Sequence, residues 1–217
     1  MKRVLVYGDS NSWGYPADGS GVRMKDNWPE VMERHLDQVE VIHENFPGRT
    51  TVHDDFEHLG EANNGLRFLE VALRSHAPVD ALVILLGTND LKARFQPSAN
   101  KIAANLGRLI AEVRRVGGAS RIWEDTTPPK IFVISPPPLS DRAIDPNWER
   151  VEEWAGAKPA SEGLADSIEA MCKNEGAAFF DSAHFVEGGQ DDPIHWTESS
   201  HLRLGQAVAH WLTSHGL

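Results

Sequence analysis

A serine at the end of an apolar run, and an aspartate three residues before a histidine, are the parts from which a hydrolytic nucleophile is assembled. Here Val4-Leu5-Val6-Tyr7 stops at Gly8-Asp9-Ser10, and Asp192-Pro193-Ile194-His195 stands near the other end of the chain. For acyl transfer a serine hydroxyl needs a base, the base needs an orienting acid, and the oxyanion that forms needs hydrogen-bond donors. The D-x-x-H spacing lets both side chains point the same way in one tight turn, so the carboxylate can hold the Nδ1 hydrogen of its neighbour. A second pair, Asp181/His184, has the same spacing and begins at the last residues of a strand pattern. His201 is a third candidate base, but it fits better in the first turn of the last helix, with Thr197 as cap and Glu198 facing the helix dipole. Spacing alone leaves both pairs open. It also leaves Ser10 a plainer use, as the cap of the helix that follows the first strand.

These residues must be positioned by the elements around them. Short apolar runs at 3–8, 39–45, 81–87, 130–136 and 177–182 alternate with helical patterns such as NNGLRFLEVALRSH and SHLRLGQAVAHWLTSHG. Runs such as LVILL are apolar at consecutive positions, as strands buried on both faces are. The alternation predicts an α/β fold: a flavodoxin-like, three-layer α/β/α sandwich around a five-stranded parallel sheet, with residues 1–217 as one domain. Ligands bind outside the carboxyl ends of the strands in such sheets. The residues there read GDSNS, FPGRTT, GTND and SPPPLS. Two segments exceed what a connection needs: residues 16–26, and the proline-rich 136–160 with Trp148 and Trp154. A lid, a pocket wall and a subunit contact are all open for them. The chain lacks G-x-S-x-G, G-x-x-x-x-G-K-[ST] and G-x-G-x-x-G, which disfavours the common hydrolase elbow and the phosphate and dinucleotide loops.

Taken together, Gly8-Asp9-Ser10, Gly48 after the second strand, Gly87-Thr88-Asn89-Asp90 after the third and Asp192-Pro193-Ile194-His195 before the last helix resemble the SGNH hydrolases, the GDSL-type esterases and lipases. WGY after the serine, GRTT, LLGTNDLKARF and VISPPPL are most similar to the small arylesterase/acyltransferase subgroup. The resemblance implies Ser10 as nucleophile, His195 as general base and acid, and Asp192 as the residue that orients it. It implies an oxyanion hole made by the backbone N–H of Ser10, that of Gly48 and the side-chain amide of Asn89. Because the family carries its Asp and His directly before the C-terminal helix, it selects Asp192/His195 over Asp181/His184. The chemistry of the residue types agrees: glycine lets a backbone approach the substrate closely, and an amide is a suitable fixed donor. Asp90 is expected to brace the loop carrying Gly48 or Asn89. The implied activity is hydrolysis of small acetyl or aryl esters through an acyl-enzyme, with acyl transfer to alcohols or hydrogen peroxide as a side activity and a closed homo-oligomer as the assembly. Deacetylation of acetylated sugars or xylan fragments is the enzymatic alternative. A non-catalytic flavodoxin-like binding module is the alternative from another class.

Composition narrows the field further. The 217 residues are 41% hydrophobic and 24% charged with a formal net charge of -11, which argues against a protein that grips the nucleic-acid backbone. A single cysteine, Cys172, excludes an internal disulfide and a cysteine metal cluster. Neither a signal peptide nor a membrane span is evident, so a cytoplasmic location and no membrane partner are expected. The expected chemistry requires no metal or organic cofactor. The run HDDFEHLGE carries ligand-type side chains, but at no closed zinc or EF-hand spacing. Trp13, Tyr15, Ile194 and Trp196 flank the nucleophile and base and are open either as an apolar acyl or alcohol pocket that limits water access or as packing at the core edge. Arg49 is open as a substrate contact, a subunit contact or a surface charge.

Overall fold

Strands that are apolar at every position have to be covered on both faces, and the architecture meets that demand. The computed structural model describes residues 1–118, 127–189 and 191–217. Among them β1 (Lys2–Gly8), β2 (Val39–Asn45), β3 (Ala81–Leu85), β4 (Lys130–Ser135) and β5 (Ala178–Asp181) form a parallel sheet in the order β2-β1-β3-β4-β5. Successive side chains leave a strand on opposite faces. Leu5, Tyr7, Leu82 and Ile84 therefore enter one core, while Val4, Val6, Val83 and Leu85 enter the other.

The helices described are α1 (Ser10–Trp13), α2 (Trp28–Arg34), α3 (Gly65–His76), α4 (Ala99–Val116), α5 (Ala157–Glu162), α6 (Leu164–Glu175) and α7 (Glu198–Ser214). On the face of Leu5, α3, α4 and α6 supply Leu69, Leu73, Leu106, Ile110 and Ile168. In α4, Ile102, Leu106, Leu109, Ile110 and Val113 recur at three- and four-residue steps and make one buried stripe. On the face of Val4, α2 and α7 supply Trp28, Met32, Leu204, Val208 and Leu212. These two helices pack closely because residue 205 is glycine: a Cβ there would stand 2.5 Å from Val31 Cβ and 2.7 Å from the Trp28 carbonyl oxygen. Overpacking of this kind typically costs about 1–3 kcal/mol. The result is the expected three-layer α/β/α sandwich.

The strands are shorter than the apolar runs where the chain turns away to build the site. The run 81–87 stays in the ladder only to Leu85, 130–136 to Ser135, and 177–182 contributes Ala178–Asp181. Gly8 pairs with Asn45 on one side and Leu85 on the other, so the carboxyl ends of β2, β1 and β3 are level. β1 is also where the winding reverses, with β2 to one side and β3 to the other; that is the crevice position of a doubly wound sheet. Segment 136–160 is pinned to the body. Trp148 and Trp154 join the α3–α4–α6 core, and Leu139 N–H donates to Ser161 Oγ at 3.0 Å. Among the described residues no helix is long and apolar enough to cross a membrane.

Candidate active site

Asp9, not Ser10, caps the helix after β1: its Oδ1 accepts the Asn11 N–H at 2.9 Å. The plainer use of Ser10 as a cap is therefore filled by its neighbour, and the Ser10 hydroxyl is left for another partner. That partner is His195, whose Nε2 lies 3.0 Å from Ser10 Oγ. On the far side of the ring, Nδ1 lies 2.6 Å from Asp192 Oδ2. An ionised carboxylate only accepts, so Nδ1–H is the donor and Nε2 is left to accept the serine proton. Asp192 Oδ1 also accepts the backbone N–H groups of Ile194 at 2.8 Å and His195 at 3.2 Å. Burial disfavours its charged form, but the hydrogen bonds from the His195 ring and these N–H groups outweigh that and hold its pKa below the usual carboxylate value. The turn is tied to the nucleophile's helix by Asn11, whose Nδ2–H donates to the Ile194 carbonyl at 3.1 Å.

The competing pair is built differently. His184 is 80% exposed, and its Nε2 stands 3.9 Å from Asp181. Asp181 Oδ1 instead accepts the Ala183 N–H at 2.9 Å, closing the turn after β5. His201 is buried, and its Nδ1 accepts the Trp28 N–H at 3.2 Å. Thr197 caps α7 by accepting the Ser200 N–H at 3.3 Å, as its position suggests.

The other strand ends bring the expected donors to the same edge. Ser10, Gly48, Asn89, Asp192 and His195 all line one cavity of about 460 Å³. Gly48 has φ +81°, a backbone conformation that favours glycine, and a Cβ there would also press on the ends of the Asn63 and His58 side chains at 2.8 Å. The Asn89 Nδ2 amide is oriented by the Arg49 carbonyl at 3.1 Å and by Asp9 Oδ2 at 3.5 Å. Asp90 faces away from the cavity; its carboxyl accepts the Thr51 N–H at 2.9 Å and the Thr51 hydroxyl, bracing the loop after Gly48. Burial pushes the Asp9 and Asp90 carboxyls up to about 6 and about 7.

The wall of the cavity departs from expectation. Ile194 lines it and the Tyr15 ring packs 4.4 Å from that of His195, but Trp13 and Trp196 do not line it. Trp196 is buried in the core beside α2 and α7, and Trp13 is covered by Arg23. The apolar role falls instead to Trp148 and Trp154 of the segment 136–160, which is thereby a pocket wall. Much of the remaining wall is charged, with Lys92, Arg94, Glu57, Glu153 and Arg150 on one side. Asp55, fully buried, holds Lys92 Nζ and Arg94 Nε at 2.8 Å each. The run HDDFEHLGE thus contributes an ion pair and, through Glu57 and His58, cavity wall. Sequence reading missed Lys92, Arg94 and Glu153; the KAR that directly follows GTNDL was the available signal.

The model of the GDSL-like lipase/acylhydrolase family matches residues 6–203 of the chain. Among solved structures, a carbohydrate acetylesterase family member from Sinorhizobium meliloti is 33% identical, with TM-score 0.88 over 99% of this chain and 98% of that one. The M. smegmatis aryl esterase is 32% identical, with TM-score 0.86 over 99% of both chains. A lipase/acylhydrolase from Enterococcus faecalis, 19% identical with TM-score 0.66 over 99% of this chain and 97% of that one, shares the fold. No curated protein matches the chain.

Proposed function

The chain belongs to the GDSL-like lipase/acylhydrolase family and is a hydrolase of carboxylic esters, and from that premise we propose that Ser10, His195 and Asp192 carry the reaction on one domain. The observation that supports this most is the two-link chain from Ser10 Oγ through the His195 ring to Asp192, at 3.0 and 2.6 Å. Ser10 Oγ attacks the ester carbonyl while His195 Nε2 takes its proton. Asp192 holds the ring in the required tautomer and stabilises the imidazolium. The N–H groups of Ser10 and Gly48 and the Asn89 amide receive the oxyanion. His195 then returns the proton to the leaving alcohol, and afterwards draws one from the water that cleaves the acyl-enzyme. Every step is carried by protein groups and water. A complete proton path inside a cavity weighs against the non-catalytic module.

Small acetyl and aryl esters are the proposed substrates. A second reading, deacetylation of acetylated oligosaccharides, draws support from the charged wall of Lys92, Arg94, Arg150 and Glu153, which suits a hydroxylated leaving group. Hydrolysis is the activity proposed, with acyl transfer as a side activity for which Ile194, Trp148 and Trp154 on the same cavity would limit access of water. Assembly as a homo-oligomer is also proposed, supported by exposed Phe56, Phe68 and Val71; light scattering tests it. The decisive test of the mechanism is labelling by a fluorophosphonate probe, which should mark the wild type and spare Ser10→Ala. Comparing turnover of 4-nitrophenyl acetate with an acetylated xylo-oligosaccharide separates the two substrate readings.

A further inference from the structure

Arg49 follows the glycine of the proposed oxyanion hole, yet it is only 6% exposed. Burying a guanidinium is costly unless its donors are used. Its Nη1 donates to the Gly8 carbonyl at 3.1 Å, at the end of β1 two residues before Ser10, and to the Glu44 carbonyl near the end of β2. The guanidinium lies 4.0 Å over the ring of Tyr7. Tyr7 Oη–H donates to the Gly65 carbonyl at 2.6 Å, and Gly65 N–H donates to the Thr50 carbonyl at 3.1 Å, which encloses the loop from behind. The Arg49 backbone N–H closes the turn at Gly48 by donating to the Phe46 carbonyl at 3.0 Å. Its own carbonyl accepts the Asn89 amide at 3.1 Å.

We propose that Arg49 is the positioning residue of the oxyanion hole, because it touches all three segments bearing its donors. The inference rests on the reading of Ser10, Gly48 and Asn89 given above. Its side chain fixes the Ser10 turn, its N–H shapes the Gly48 turn, and its carbonyl aims the Asn89 amide. Donors act at 2.7–3.1 Å from the oxyanion, in the range of ~3 Å, and displacement by about 1 Å costs on the order of a hundredfold in rate. Arginine suits the place because one guanidinium nitrogen, Nη1, reaches both strand-end carbonyls while the planar group stacks on the Tyr7 ring. Lysine offers a point charge without that geometry.

The test is Arg49→Lys, with 4-nitrophenyl acetate turnover normalised to sites titrated by a fluorophosphonate. Turnover per titrated site should fall about ten- to a hundredfold while KM stays within about twofold. Inhibition by a trifluoromethyl ketone, which forms a tetrahedral oxyanion on Ser10, should weaken in proportion to kcat/KM. Wild-type turnover per site overturns the proposal, even if fewer sites titrate or the melting temperature drops, because that pattern marks a purely structural role. Should Arg49→Lys not fold, Tyr7→Leu removes the ring beneath the guanidinium and keeps its donors; it should give the same split, and unchanged turnover per site there overturns the proposal too. A wild type that resists the probe sinks the reading of the site itself. A labelled wild type with an unaffected Arg49→Lys sinks only the role of Arg49.

Discussion

Ser10 Oγ and His195 Nε2 lie 3.0 Å apart across 185 residues of sequence, and the contact exists because Asp9 has already capped α1. Loss of either partner removes the proton path while leaving that cap in place. Ser10→Ala and His195→Ala should each lower kcat for 4-nitrophenyl acetate by at least about a thousandfold. His184→Ala, at an 80% exposed ring, should leave the rate within about twofold. Steady-state kinetics on the three variants decides the matter; a large loss at His184 alone would assign the base to the other pair.

Asp192→Asn keeps the shape of the turn but replaces an obligatory acceptor with a group that can donate. The imidazole can then settle in the tautomer that leaves Nε2 protonated and unable to take the serine proton. Turnover should fall by about a hundred- to ten-thousandfold with KM little changed. The native carboxyl is held below its usual pKa, so its contribution to stability and tautomer control is present above that range and lost only as pH falls through the lowered value. The acid loss of activity should therefore not begin with Asp192. A wild-type kcat in Asp192→Asn would show that the ring is oriented by something else.

Asn89→Ala tests the amide of the oxyanion hole without touching the proton path. One hydrogen of its Nδ2 is held by the Arg49 carbonyl at 3.1 Å, and the other has only a 3.5 Å contact to Asp9, so it is oriented yet left to turn to the oxyanion. Removing one such donor typically lowers kcat by about a hundred- to a thousandfold, with a small effect on KM. A change confined to KM would place Asn89 in substrate binding instead.

What the chain disclosed in advance depended on how local the determinant was. The five parallel strands follow from short β-type runs, and Ser10, Gly48 and Asn89 from short motifs at strand ends, whereas Asp192/His195 was separable from Asp181/His184 only through the family resemblance. The pocket wall was less legible. Trp196 stands next to His195 in sequence, but the turn that presents His195 to the cavity directs its neighbour into the α2–α7 core. Trp148 and Trp154 reach the cavity from a proline-rich segment with no period to read. Arg49 looks like an ordinary loop charge until the ends of β1 and β2 are placed beside it.

The buried ion cluster beside the cavity makes a separate prediction about stability. Asp55 is fully buried, the Lys92 side chain is 4% exposed, and Arg94 shares the same carboxylate. Asp55→Ala leaves two cations without their common partner and should cost about 3–5 kcal/mol. Glu40→Ala breaks the partly exposed pair with Arg3 and should cost no more than about 1 kcal/mol. Urea unfolding monitored by tryptophan fluorescence measures both. Equal small losses would show that solvent reaches the cluster.

His201 makes the clearest pH prediction, because burial pushes its imidazole down to about 3 while an unfolded chain restores the ordinary value of about 6.5. Between these values the unfolded state binds a proton that the native state does not. Stability from this residue is thus fully present above about pH 6.5 and is lost progressively as pH falls toward 3. Asp9 and Asp90 act in the opposite sense, since their raised values make the native state the better proton binder and weaken it as pH rises through about 6 and 7. The difference between wild type and a His201 variant isolates the histidine. His201→Gln keeps a side-chain acceptor for the Trp28 N–H but cannot be protonated. The wild type should lose stability relative to this variant between pH 7 and pH 4, read as diverging urea midpoints. Midpoints that keep a constant separation would mean that His201 does not remain neutral in the fold.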